Sequence, residues 1–300
     1  MKTLTVVVLA SCLAPFPCAA AEEYDLLIKG GRVVDGTGAP WRRADVAVKG
    51  DRIVAVLPRI DAPARKTIDA AGRVVAPGFI DIHVHGWPMI LDAPAAENLV
   101  RQGVTTLVDG PDGESPVPLR DSLAKIEALP PGVNYATLVG HGSIRASVLG
   151  NENRAPTPAE LDRMGQLVRD AMRQGAFGLS TGLIYAPGTF AGTDEVVALA
   201  RVAGELGGIH VSHMRDEAGG ILDSVRETIR IGEEGRLPTQ VSHHKLVGRP
   251  VWGRSVESLR LVEEARRRGV DVTIDQYPYT ASLNSLGNPL LPPAALGGGD

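Results

Sequence analysis

From residue 78 onward the chain alternates between short β-patterned runs and longer helix-patterned ones, and no other feature restricts its fold as strongly. Strand-like runs fall at 78–85, 105–108, 135–139, 177–180, 209–213, 239–242 and 270–275. Helical patterns lie between most of them, at 158–173, 194–206, 221–233 and 255–268. In the last of these, Val256, Leu259, Leu261, Val262 and Ala265 approximate one apolar face. Alternating β and α segments bury their apolar surfaces best as a parallel sheet covered by helices. One strand per roughly 30 residues suits a TIM-like (β/α)8 barrel better than an open sheet. Seven such runs precede Asp300, and the final stretch from Leu291 reads as a loop. A barrel with a strand missing has two unpaired edges. The expectation is therefore an α/β barrel truncated before strand 8, over residues 76–300.

The preceding segment, 22–75, has a different period. Asp25 to Lys29, Arg32 to Val34, Asp45 to Lys49 and Arg52 to Val56 alternate apolar and polar residues, punctuated by Gly30-Gly31, Asp35-Gly36 and Gly50-Asp51. This pattern predicts a small β module of antiparallel strands joined by hairpins. Residues 1–21 read as a signal peptide. Lys2 is followed by an apolar run from Leu4 to Leu13 and by small residues before Glu22, with cleavage expected after Ala20 or Ala21. Leu9-Ala10-Ser11-Cys12 also resembles a lipoprotein box, which would make Cys12 a lipid anchor. The expectation is export to the periplasm or beyond, and no stretch is long enough for a transmembrane span.

Composition closes off several classes. With 44% hydrophobic and 22% charged residues the chain is globular rather than disordered. A formal net charge of −4 supplies no basic field, so no nucleic-acid partner is expected. The only cysteines are Cys12 and Cys18, so the folded part has neither a disulfide framework nor a thiolate metal site.

The histidines remain, and all seven lie between positions 83 and 244. His83-Val84-His85 ends the first barrel strand, His210-Val211-Ser212-His213 the fifth, and Ser242-His243-His244-Lys245 the sixth. Residues two apart on a strand point the same way, so His83 and His85 can share a target. Barrel active sites form at the C-terminal strand ends, where these motifs sit. A lone histidine there is commonly a hydrogen-bonded structural residue, but three such motifs at three strand ends point to one or two divalent ions, and imidazole suits zinc. His210 and His244 have the opposite parity from His213 and His243 and are read as structural. His141, in Gly140-His141-Gly142-Ser143, is read as closing the third strand, with a loop-shaping role and a substrate contact both open.

The segment Val75-Ala76-Pro77-Gly78-Phe79-Ile80-Asp81-Ile82-His83-Val84-His85 resembles the amidohydrolase superfamily. Within it, Gly175-Ala176-Phe177-Gly178-Leu179-Ser180, His213-Met214-Arg215-Asp216-Glu217, Ser242-His243-His244-Lys245 and Asp275-Gln276-Tyr277-Pro278-Tyr279 resemble the N-acyl-D-amino-acid deacylases. The resemblance covers roughly residues 25–290. It implies a β-sandwich-like module beside a metal-bearing barrel, and hydrolysis of N-acyl-D-amino acids with a small acyl amino acid as partner. By position, His83 and His85 would hold a more exposed metal and His213 and His243 a tighter zinc. Lys245 and Tyr277 would contact the substrate carboxylate or polarise the scissile carbonyl, a mere surface charge being the plainer reading of Lys245. Asp112 stands where the familiar deacylases carry a metal-ligating cysteine; a carboxylate can also bridge two ions, while an ordinary Pro-Asp-Gly turn is the plainer reading. The family's catalytic aspartate would fall beyond Asp300, so a chain ending there is expected to be inactive or poorly folded. Alternatives are a cyclic-amide hydrolase, an unusual-linkage dipeptidase or a non-catalytic binding relic. The first two are disfavoured because such relatives often carry a carboxylated lysine at the end of strand four, and Leu179-Ser180-Thr181-Gly182-Leu183 has none.

Overall fold

The computed structural model describes residues 23–283, and the leader segment and the final loop read from the sequence lie outside them. Contacts divide the chain into two compact units after Pro77.

The first unit is one mixed five-stranded sheet. β1 (Tyr24–Val33), β2 (Arg42–Lys49) and β3 (Arg52–Leu57) form the antiparallel meander that the turn residues predict. β4 (Ala64–Asp69) and β5 (Val74–Val75) depart from that expectation by pairing parallel to β1. Alternation reports which face of a strand is buried but not which strand lies beside it. Among the described residues this unit is that single mixed sheet. β1 carries a bulge between Ile28 and Gly31, with Gly30 at φ +71°. The buried Asp45 carboxylate fixes this kink by accepting from the Gly30 and Ile60 N–H groups at 2.7 and 2.9 Å.

The second unit follows the predicted alternation. After β6 (Phe79–Val84) come α1 (Glu97–Val100), β7 (Val104–Asp109), α2 (Arg120–Ala128), β8 (Asn134–Thr137) and β9 (Val139–Gly140). Next are α3 (His141–Leu149), α4 (Pro158–Gln174), β10 (Gly178–Gly182), α5 (Thr193–Glu205) and β11 (Ile209–His213). The run finishes with α6 (Ile221–Gly235), β12 (Thr239–Val241), α7 (Ser255–Arg267) and β13 (Val272–Ile274). All neighbouring strands pair in parallel and in sequence order, β6-β7-β8 and then β9 to β13. Only Leu138 separates β8 from β9. Its N–H bonds back to Asp109 of β7, while Thr137 accepts from Phe177, the residue before the next strand. β8 and β9 are thus one strand position that hands the ladder onward, giving seven consecutive positions among the described residues.

Helices form where the sequence supplies their ends. α4 begins with a capping box in which Thr157 and Glu160 satisfy each other's backbone N–H groups, and stops at left-handed Gly175. Its inner face (Met164, Val168 and Ala171) packs with Val139, Leu179, Val196 and Ala200 of the neighbouring elements. A second cluster joins Val225 and Ile229 of α6 to Val241, Val262 and Val272. These layers hold the strand ends at fixed spacing. Among the described residues no helix is long and apolar enough to cross a membrane.

Candidate metal centre

Each ligand candidate is placed by the local backbone. His83 and His85, two apart at the end of β6, present their rings to the same region, 5.5 Å apart between centroids. β7 runs on into Gly110-Pro111-Asp112-Gly113, where Gly110, Asp112 and Gly113 all take positive φ. This turn lies across its neighbouring strand ends. Ser180 Oγ donates to the Gly110 carbonyl at 2.6 Å and accepts from the Gly113 N–H at 3.2 Å. A Cβ on Gly182 would stand 2.0 Å from the Asp112 carbonyl oxygen, so the end of β10 must be bare for the loop to settle. Asp112 is thereby aimed into the barrel mouth at φ +57°, and His243 reaches it with φ +36°. Two non-glycine residues in the left-handed region at one site mark stored strain of the kind that collects at functional centres.

The resulting geometry is specific. Asp112 Oδ2 lies 3.5 Å from His83 Nε2 and 3.2 Å from His85 Nε2. Its Oδ1 lies 3.5 Å from His213 Nδ1 and 3.6 Å from His243 Nε2. One carboxylate therefore turns one oxygen to each pair of imidazoles. Donors around a tetrahedral ion with ordinary zinc bond lengths stand about 3.3 Å from one another. Asp112 Oδ1 is also buried and accepts no hydrogen bond, a costly state for a carboxylate oxygen that a cation would relieve. Potential ligand atoms of His83, Asp112 and His243, and of His213, Glu217 and His243, lie within 4.8 Å of one another. The residues present fit one or two divalent ions.

Charges at the centre are coupled. Burial works against ionisation of Asp112, yet the surrounding imidazoles of His213, His243, His83 and His85 hold its pKa far below the usual carboxylate range. Burial likewise disfavours a charged His243, but Asp112 and Glu217 prevail and raise it to about 9. His213 is lowered, chiefly by burial, while the Asp112 hydrogen bond raises His85 at the exposed rim. Glu217 is lowered because His243, His213 and Lys245 outweigh its burial.

Of the substrate contacts expected from sequence, Lys245 and Tyr277 reach the centre. Lys245 Nζ lies 2.5 Å from Glu217 Oε1, 2.9 Å from His243 Nδ1 and 5.5 Å from the Tyr277 ring centroid. His141 does not, and the expectation of a substrate contact is corrected. It is the first residue of α3, has no solvent exposure, and bonds through Nε2 to Glu195, which also pairs with buried Arg145. Its role is to fasten α3 to α5. His244 bonds to Ser258. His210 is held between Thr181 and Thr239, on the β11 face opposite His213.

Three further residues join the site. Glu217 follows His213 by four residues and comes within 3.8 Å of it and 3.0 Å of His243. Tyr185 places its hydroxyl 3.2 Å from His213 Nδ1. Asp275, just beyond β13, meets both His243 and His83. Glu217 and Asp275 stand inside the quoted motifs, but apart from His213 their partners lie 26 or more positions away, and spacing alone does not announce them. A cavity of about 470 Å³ opens beside His85, Asp112 and Tyr185, with Trp87, Tyr135 and Glu114 on its wall.

Comparison with known proteins agrees with this geometry. A family model described as "Amidohydrolase family" matches residues 66–284. The chain belongs to the amidohydrolase family. It is 40% identical over 289 residues to a D-aminoacylase of Alcaligenes xylosoxydans xylosoxydans, covering 89% of this chain and 60% of that one. Among solved structures, an N-acyl-D-glutamate deacylase from Bordetella bronchiseptica, complexed with zinc and a phosphonate mimic of the tetrahedral intermediate, superposes with a TM-score of 0.82 at 40% identity. That match covers 86% of this chain and 59% of the other. A D-aminoacylase with a binuclear metal center gives 0.81 at 41% identity, covering 85% and 59%. This amidohydrolase chain thus spans about three-fifths of the length of the relatives it matches.

Proposed function

We propose that the intact protein is a metal-dependent hydrolase that cleaves the amide bond of N-acyl-D-amino acids, giving a carboxylate and a D-amino acid. The observation that carries this reading is the Asp112 carboxylate, with one oxygen facing His83 and His85 and the other His213 and His243. These five residues would hold zinc as one or two ions. Bound there, zinc supplies a nucleophile at neutral pH and Lewis-acid polarisation of the scissile carbonyl.

The remaining chemistry belongs to the chain. Lys245, between Glu217 and His243, presents a fixed ammonium on one side of the centre, suited to a substrate carboxylate. Tyr277 flanks that ammonium. The Tyr185 hydroxyl stands beside His213, and Glu217 pairs with Lys245 and faces His243 Nδ1, where it can accept the proton of a neutral imidazole whose Nε2 would be free for the ion. The cavity beside His85 gives the opposite arm of the substrate a place to lie. Support for the D-amino-acid substrate comes from the relatives named above. Release of acetate from N-acetyl-D-methionine and N-acetyl-D-glutamate by the zinc-loaded full-length protein, with the L-enantiomers as controls, tests it. Silence on all acyl D-amino acids, or preference for the L series, refutes it. Export is part of the same reading, supported by the apolar segment after Lys2. Cell fractionation with and without Cys12→Ala distinguishes a cleaved leader from a lipid anchor.

A further inference from the structure

We propose that Asp275 is a positioning residue that organises the His83 half of the metal centre from the far side of the barrel mouth. The inference rests on the metal reading above and adds to it a residue that ligates nothing itself. Asp275 follows the last described strand, β13, while His83 ends the first strand of the unit. Its carboxylate is engaged at both oxygens. Oδ1 accepts the His243 backbone N–H, and Oδ2 accepts Gln240 Nε2 at 2.5 Å. Its backbone joins the same turn: the Asp275 carbonyl accepts from the His244 N–H at 3.0 Å, and the Asp275 N–H donates to Val241 at 3.2 Å. His243 is the residue forced to φ +36°, so Asp275 pins the strained turn that delivers one candidate ligand.

The other side of the same carboxylate faces His83. Asp275 Oδ2 is 3.9 Å from His83 Nδ1, and that nitrogen is buried with no hydrogen-bond partner. His83 Nε2 meanwhile points at Asp112. An imidazole that gives one nitrogen to a metal carries its proton on the other and needs an acceptor there, commonly a carboxylate. Among the described residues Asp275 is the carboxylate placed to take that proton. A movement of about 1 Å brings the pair into hydrogen-bond range. Asp275 thus selects the His83 tautomer with Nε2 free for the ion, and it ties this choice to the turn that carries His243.

The test is Asp275→Asn in the full-length protein. Asparagine keeps a carbonyl oxygen for the His243 N–H but has no second acceptor for His83. Zinc is titrated against a competing chelator while the ring-nitrogen resonances of His83 and His213 are followed separately. The His83 midpoint is expected to move to about 10–100-fold higher free zinc, as for other outer-sphere partners of ligating histidines, with the His213 midpoint unmoved. An unmoved His83 midpoint, or equal movement of both, overturns the proposal. In the zinc-loaded wild type, a slowly exchanging, downfield His83 Nδ1–H resonance is expected, and a rapidly exchanging one counts against it without any variant having to fold. If neither histidine of the wild type responds to zinc, the metal reading itself fails, which is a separate result.

Discussion

Protonation of His210 should set much of the acid sensitivity of the barrel. The ring is fully buried, with Nδ1 2.7 Å from Thr239 Oγ1 and Nε2 3.0 Å from Thr181 Oγ1. Burial, with a smaller contribution from the neighbouring His141, lowers its pKa from 6.5 to about 3. Between these values the unfolded chain binds a proton that the folded chain refuses, so stability falls as pH falls. The contribution is fully present above pH 6.5 and declines by about 1.4 kcal/mol per unit below it, down to the folded value. At pH 5 the loss is therefore about 2 kcal/mol, a large share of an ordinary folding free energy. His210→Gln keeps a neutral side chain able to bond one of the threonines and removes the titration. Urea unfolding of both proteins at pH 8 and pH 5 measures the effect, and subtracting the variant's change from the wild type's cancels the other titrating groups. The wild type is expected to lose about 2 kcal/mol more than the variant between these pH values. Equal losses would show that a proton enters the folded core without penalty, and would refute the reasoning.

Other perturbations separate the site from its scaffold. Asp112→Ala should weaken zinc binding by more than the roughly 100-fold ceiling for outer-sphere partners, read by chelator competition. Gly182→Ala, whose Cβ would stand 2.0 Å from the Asp112 carbonyl, should cost about 1–3 kcal/mol and weaken zinc binding as well. Gly165→Ala, inside α4 with nothing nearer than 3.7 Å, should instead be neutral or stabilising by up to about 1 kcal/mol. Arg145→Met strands the buried Glu195 carboxylate and should cost about 3–5 kcal/mol in thermal or urea unfolding, much of it recovered by adding Glu195→Gln.

The barrel strands and the histidines gathered at the site were legible because each is encoded locally. His83 and His85 share a strand face by parity, and β10 to β13 are short segments set between helices with clear periodicity. What stayed hidden depends on contacts between distant segments. Asp112 acquires its aim from Ser180 and the bare Cα of Gly182, some 70 positions away. His141 reads from the sequence as closing the third strand, yet it starts α3, because the burial of His141 against Glu195 and of Ile144 among the core residues overrides weak propensity. The antiparallel pattern of the first module does not announce β4 and β5, and only the completed sheet shows them joining β1 in parallel.

The turn bearing Asp112 is shaped by its neighbours, through backbone atoms, rather than by its own side chain. On the metal reading proposed above, the donor at this one position is interchangeable, whereas the four imidazoles are committed to strand ends and adjoining turns whose register cannot slip without disturbing the sheet. Adaptation to a new ion, in nature or in the laboratory, has its least disruptive starting point there: replacing a single side chain on a preformed pedestal would retune the chemistry and leave the architecture beneath it untouched.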